Sequence, residues 1–322
     1  MIVMRFVRVM CAAVAALGVA ISAGCSGGAP QPVTSQSAAA QLKVTASFYP
    51  FQYVAEQVGK DLVSVTNLTQ PGAEPHDLEL SPKQVAELGE SDLLVFQKGF
   101  QPAVDAAVQT VTPKRTVDAA SFLELKPADH EEDEHADEHE EDGDEHDHGA
   151  LDPHTWLDPT NMVTIAEHVR DALTEAMPAA KDAFASNAST LVAELKELDG
   201  DFRTGLTSCT REVFITSHEA FGYLARRYGL EQIGIRGVEP DTEPTAARIA
   251  EVQKIAKANE VTTIFFETLV SPAVAESIAG DLGLATDVLD PLEGLTDQSR
   301  GSDYLEVMRS NLSALRKANG CS

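Results

Sequence analysis

Three histidines and one aspartate stand where this sequence makes abrupt turns, and their types are those of metal ligands. His76 lies in "QPGAEPHDLEL", a loop bounded by Pro and Gly. His154 lies in "LDPHTWLDP", between two Asp-Pro pairs, next to Trp156, the chain's one tryptophan. His218 directly follows "VFITS", and Asp290 ends "TDVL" ahead of Pro291. Imidazole nitrogen binds Zn²⁺ at about 2.0–2.1 Å and carboxylate oxygen at about 2.0–2.2 Å, usually in a tetrahedron of four. Ca²⁺ and Mg²⁺ prefer shells made mostly of oxygen. If these four side chains converge, the ion they suit is Zn²⁺, held with a net charge of about +1.

Convergence requires elements that aim the four residues at one place. In the first half, "KVTASFYP" reads as a strand and "FQYVAEQVG" as a helix. "LVSVTNLT" follows as a strand, "SPKQVAELGES" as a helix with Ser81 as N-cap and Pro82 at its first position, and "DLLVFQ" as a third strand. The second half repeats the alternation. "EVFITS" is a strand, "EAFGYLARRYG" a helix, residues 246–260 a helix, and "VTTIFFE" and "ATDVLD" two more strands. Alternation of this kind predicts an α/β protein with mainly parallel, helix-flanked sheets. Each candidate ligand but His154 falls just past the carboxyl end of a strand, where open parallel sheets bind ligands. His154 is positioned differently. Proline pushes Asp152 and Asp158 to extended geometry, Asp158 caps a helix that begins at Pro159, and burial of Trp156 anchors the short turn between them.

Between the halves, Pro178 to about Arg203 carries Leu191, Leu195 and Leu198 at helical spacing. A helix of that length is nearly 40 Å long, enough to join two lobes. The expected organisation is a leader over 1–25, a tether over 26–41, a first lobe over 42–177, a linking helix over 178–205 and a second lobe over 206–322, with the metal site in the cleft between the lobes.

The chain has 322 residues, 43% of them apolar, which allows two ordinary domains with real cores. Its net charge of −27 repels phosphate backbones, so nucleic acid is excluded as a partner. Arg5, Arg8, an apolar run over Val9–Ile21 and small residues before Cys25 read as an export signal too short to span a bilayer. Cys25 follows Ala-Gly, which resembles a bacterial lipoprotein cleavage box and implies a lipid-modified cysteine that tethers the chain to a membrane surface. With Cys11 in the leader and Cys25 acylated, Cys209 and Cys321 remain as a pair in an oxidising compartment and predict a disulfide.

Asp129–His148 cannot contribute to any core. Its 20 residues hold 13 acidic residues and the histidines His130, His135, His139, His146 and His148, so it is expected to be a disordered surface loop. Two readings stand side by side: an inert solvating spacer, or a weak collector that raises the local concentration of cations. His168, inside an amphipathic pattern, reads as a solvated helix residue.

"PGAEPHDLELSP", "DPHTWLDP", "TSHEAFGYLARRYGL", "FFETLVSP" and "LDPLEGL" together resemble the signature segments of ZnuA-type zinc-binding proteins, the extracytoplasmic receptors of metal-uptake ABC transporters. The resemblance runs from Lys43 to the C-terminus, and the acidic His-rich insertion resembles the loop that many zinc members carry. It implies two α/β lobes joined by one long helix, with little hinge closure, and His76, His154, His218 and Asp290 as the ligands of a buried zinc ion. It also implies a lipid-anchored monomer on the outer face of a membrane and a membrane permease as partner. Related manganese receptors carry a carboxylate at the position of His218, so the histidine favours zinc. Glu267, in "FFET", is expected to accept a hydrogen bond from a ligating imidazole. Glu74 stands one residue too far from His76 to match the glutamate that some zinc members use.

A manganese receptor of the same fold, a metal-stabilised adhesin and a secreted zinc hydrolase are the competing readings. For the hydrolase, the zincin pattern needs a histidine four residues after His218, where Gly222 stands. Four side-chain ligands also close the position that catalytic zinc keeps for water.

Overall fold

A computed structural model describes residues 41–128 and 151–322. The leader, Cys25, the tether up to residue 40 and the acidic His-rich loop lie outside the described residues. In the first half, strand β1 (Leu42–Ala46), helix α1 (Tyr49–Gly59), β2 (Val63–Asn67), α2 (Pro82–Gly89), β3 (Leu93–Phe96), α3 (Pro102–Thr110) and β4 (Thr116–Asp118) alternate along the chain. Their sheet is parallel in the order β2-β1-β3-β4. Helix α2 starts as its sequence dictates, with a full capping box between Ser81 and Gln84 and Pro82 in its first turn. Strand β1 stops at Ala46, earlier than expected, because Pro50 already belongs to the first turn of α1.

The two short strands β5 (Lys126–Pro127) and β6 (Leu151–Asp152) form an antiparallel pair. Beyond them α4 (Pro159–Ala176) is capped by the Asp158 side chain, which accepts the Thr160 N–H. Helix α5 (Lys181–Leu206) is the long linking element, 26 residues in length. It begins three residues later than expected, since Met177 leaves helical geometry ahead of Pro178 and a separate tight turn forms over Pro178–Ala180.

The second half contains β7 (Val213–Thr216), α6 (Gly222–Tyr228), β8 (Glu231–Gly234), α7 (Ala246–Ala258), β9 (Thr263–Phe266), α8 (Ala273–Leu282), β10 (Ala285–Val288) and α9 (Tyr304–Asn319). Its parallel sheet is ordered β10-β9-β7-β8. Within each half the first strand lies between the second and the third, so the two sheets repeat one topology.

Successive strand residues face opposite sides, and the two sides of each sheet have different jobs. Leu93 and Val95 of β3, with Phe214 of β7 and Phe265 of β9, face a core shared by the halves and filled by α1, α4, α5 and α9. Leu94 and Phe96 face a local core under α2 and α3, while Val213, Ile215 and Ile264 face another under α7 and α8. Helix α5 buries Phe184, Ala188, Leu191, Leu195, Leu198 and Phe202 in the shared core, so it acts as packing as well as linkage. Arg227 of α6 meets Asp158 at 3.2 Å and Asp199 of α5 at 2.9 Å, which adds a polar tie between the halves.

Cys209, just after α5, and Cys321, just after α9, are joined in a disulfide with a sequence separation of 112. Closing a loop of that size stabilises the fold by about 4–5 kcal/mol in the chain-entropy account. Replacing both cysteines by serine should therefore lower the urea midpoint and steepen the slope, because the freed unfolded chain exposes more surface, and an unchanged midpoint would show that the bond does not constrain the unfolded chain.

Candidate metal centre

The loops at the carboxyl ends of both sheets bring His76, His154, His218 and Glu293 together. His76 arrives on the loop after β2, His218 two residues after β7, and Glu293 on the turn after β10. His154 arrives from the tight turn ahead of α4, where Gln97 holds both sides: its Nε2 donates to the Pro153 carbonyl at 2.5 Å and its Oε1 accepts from Thr155 Oγ1 at 2.5 Å. Trp156 is fully buried beneath this turn, packed against Phe48 and Phe100.

One ligand atom from each of the four residues lies within 4.8 Å of all the others. Glu293 Oε1 stands 3.4 Å from His76 Nε2, 3.2 Å from His154 Nε2 and 3.4 Å from His218 Nε2, and the last two nitrogens are 3.3 Å apart. Ligands about 2.0–2.1 Å from a central ion at the corners of a tetrahedron are separated by about 3.3–3.4 Å. Four of the six edges match such a tetrahedron, and the two from His76 to the other imidazoles lie within 4.8 Å. Glu293 is fully buried, and its Oε2 has no hydrogen-bond partner among the described residues.

Behind the rings, each Nδ1 has its own carboxylate. His218 Nδ1 lies 2.6 Å from Glu267 Oε1, His154 Nδ1 2.9 Å from Asp152 Oδ1, and His76 Nδ1 3.3 Å from Glu239 Oε2. A carboxylate that accepts the Nδ1 proton fixes the tautomer and leaves Nε2 as the electron-pair donor. Glu267 and Asp152 are buried, whereas Glu239 is exposed, so of the three rings His76 alone rests on a carboxylate that faces solvent. The Glu74 side chain accepts the His76 backbone N–H at 3.2 Å but is outside the donor group.

Asp290 is not in that group, and the carboxylate that takes its expected place is Glu293, three residues on. Both Asp290 oxygens are already engaged: Oδ1 accepts the Leu292 N–H at 2.8 Å, and Oδ2 accepts from Ser299 Oγ at 2.8 Å and Thr268 Oγ1 at 3.4 Å. An aspartate that folds back on its own turn cannot also reach the imidazoles. "LDPLEGL" does contain the inward glutamate, but nothing local says which of its two acids turns in. Asp152 sits two residues before His154, while Glu239 has no sequence signal at all, coming from the far half of the chain. His168 is exposed, as its pattern indicates, and stacks on Phe122 with ring centroids 3.7 Å apart.

Electrostatics follow from this crowding. Burial alone would lower the His76 pKa, but contacts with Glu239 and Glu293 outweigh it and raise it to about 10. Burial opposes charge on His218 as well, and Glu267 and Glu293 push it well above the ordinary imidazole value. Burial would raise Glu293, yet the histidines around it hold it well below the usual carboxylate range. Burial, and then the charge of Glu293, raise Glu74 to about 8. Without an ion the centre thus favours protons on the His76 and His218 imidazoles.

The fold and the donor set define a metal-binding α/β protein of two repeated halves, and comparison with known proteins gives its family. The family described as "ZnuA: Zinc-uptake complex component A periplasmic" matches residues 44–318, and the chain belongs to it. It is 37% identical over 282 residues to the zinc-binding lipoprotein AdcA of Streptococcus pneumoniae (strain ATCC BAA-255 / R6), which covers 86% of this chain and 56% of that protein. The chain thus spans little more than half the length of that relative. It is 34% identical to the high-affinity zinc uptake system protein ZnuA of Bacillus subtilis (strain 168), covering 86% of this chain and 87% of that one. Among solved structures, the Zn(II)-bound ZnuA-like domain of Streptococcus pneumoniae AdcA superposes with a TM-score of 0.72 at 34% identity, over 87% of this chain and 99% of that domain.

Because His76 and His218 are held protonated at neutral pH, a metal ion must displace protons to bind. Affinity should rise with pH from 6 toward the His76 value, by about tenfold per unit for each proton released. Calorimetry at pH 7 in buffers of different ionisation enthalpy should find at least one proton released per zinc, and none would contradict the assigned pKa directions.

Proposed function

We propose that this protein is an extracytoplasmic zinc receptor, which captures one Zn²⁺ at His76, His154, His218 and Glu293 and delivers it to the membrane permease of an ABC importer. The observation that carries the reading is the convergence of three imidazole nitrogens and one carboxylate oxygen in a buried pocket, with four of their six separations at tetrahedral values. Three nitrogen donors disfavour Mg²⁺ and Ca²⁺, and they favour zinc over manganese. The chain's family supports the same role.

Capture without catalysis fits the donor count. Catalytic zinc usually keeps three protein ligands and an open position for water, whereas four side chains fill the shell here. The halves over 42–177 and 206–322 act as the two lobes that enclose the ion. Their shared core supports a cleft that closes little when the ion binds. The protein works as a monomer, and Cys25, outside the described residues, is the point of lipid attachment to the membrane surface. No helix among the described residues is long and apolar enough to cross a membrane.

Protein stripped of metal should take up one zinc per chain with high affinity and show no zinc-dependent hydrolysis of peptides or esters. His218→Ala should weaken binding by more than the about 10- to 100-fold typical for loss of a residue that only supports a ligand. Parental affinity in His218→Ala, or zinc-dependent turnover, would overturn the proposal.

A further inference from the structure

The turn that presents Glu293 is unusual in its backbone and in how completely it is held. Leu292, next to Glu293, has φ of +60°, a left-handed conformation that β-carbon sterics disfavour in a non-glycine residue. It is also fully buried, so the side chain cannot relax toward solvent. Such a conformation persists only where the surroundings over-determine it.

Here they do. Asp290 Oδ1 accepts the Leu292 N–H at 2.8 Å. The Asn311 side chain on α9 grips the Asp290 backbone twice, accepting its N–H at 3.0 Å and donating to its carbonyl at 2.7 Å. Trp156 Nε1, from the turn that carries His154, donates to the Pro291 carbonyl at 2.7 Å, and Tyr304 Oη donates to the Trp156 carbonyl at 2.7 Å. Ser299 and Thr268 secure the other Asp290 oxygen. The Asp290 backbone and side chain, the Pro291 carbonyl and the Leu292 N–H are thus all bonded, while the Glu293 carboxylate is directed at the three imidazoles.

We propose that Asp290 and Asn311 are positioning residues: a clamp that holds Leu292 in its left-handed conformation, keeps Glu293 pointed into the centre, and thereby sets how slowly the ion leaves. The inference rests on the reading of the centre as a zinc site. Without the clamp, Leu292 relaxes to negative φ and redirects the next side chain. The centre is then left with three imidazoles and an open position. The Trp156 bond makes the same turn sense the His154 loop, so one displacement loosens two ligands together.

The test uses Asp290→Ala, Asn311→Ala and Asp290→Asn beside Glu293→Ala, in the full chain. Asparagine keeps an acceptor for the Leu292 N–H and offers a donor to the Ser299 and Thr268 hydroxyls, so it preserves the clamp while removing the charge. In metal-free protein, hydrogen exchange over residues 289–295 should lose protection in the two alanine variants and keep it in Asp290→Asn. With metal, zinc transfer to a chelator should be about 10- to 100-fold faster in both alanine variants. The visible spectrum of their Co²⁺ forms should shift toward that of Glu293→Ala, which a merely destabilised fold would not produce. Asp290→Asn should match the parent in rate and spectrum.

Unchanged exchange, or parental zinc release in both alanine variants, would overturn the clamp. So would an Asp290→Asn variant as impaired as Glu293→Ala, since that would make the Asp290 charge itself the contributor. If the parent takes up neither zinc nor Co²⁺, the zinc reading falls, and the exchange data still decide whether the turn is clamped.

Discussion

Four electron-rich donor atoms are packed within 4.8 Å of one another in a pocket from which water is largely excluded. Lone pairs crowded in this way repel, and only a positive charge at their centre reconciles them. Protons can supply it in part, which is why carboxylates around His76 and His218 drive those imidazoles toward their charged forms. A single dication does so better, because it meets all four donors at once. The rest of the molecule is organised around keeping these donors close while they lack such an ion. A carboxylate stands behind each ring, a clamped turn lies behind the glutamate, and a shared core beneath both sheets resists their separation.

This arrangement also explains how selectivity arises without a rigid cage of one chemistry. Four donor separations of 3.2–3.4 Å suit a small ion, and the excess of nitrogen donors penalises hard cations that would otherwise outcompete by abundance. Of the three imidazoles, His76 alone leans on an exposed carboxylate, Glu239, which belongs to the opposite half. The strongest supports are therefore buried and the weakest faces solvent.

Much of this was legible in the sequence where local rules decide the outcome. Ser81 with Pro82, and Asp158 with Pro159, set the starts of α2 and α4 by capping chemistry that depends only on neighbouring residues. The alternation of strands and helices gave two parallel sheets, and the histidines at their carboxyl ends pointed to one centre. What stayed hidden was decided by side-chain direction across distance. Asp290 and Glu293 are both acids just past β10, and the built turn engages Asp290 with its own backbone while Glu293 faces the imidazoles. The role of Glu239 depends on the approach of two halves, which no local pattern encodes. Asp152 was visible as a turn former, but its second task, holding the His154 ring, appears only once the turn is built.

The claim at the centre is that three imidazoles and one glutamate surround a single zinc ion, and X-ray absorption at the zinc edge of the one-to-one complex tests it most directly. The account predicts a four-atom shell at about 2.0–2.1 Å with the multiple-scattering signature of three imidazoles, reduced to two in His218→Ala. A shell of six oxygens, or a parental spectrum with fewer than three imidazoles, would contradict it.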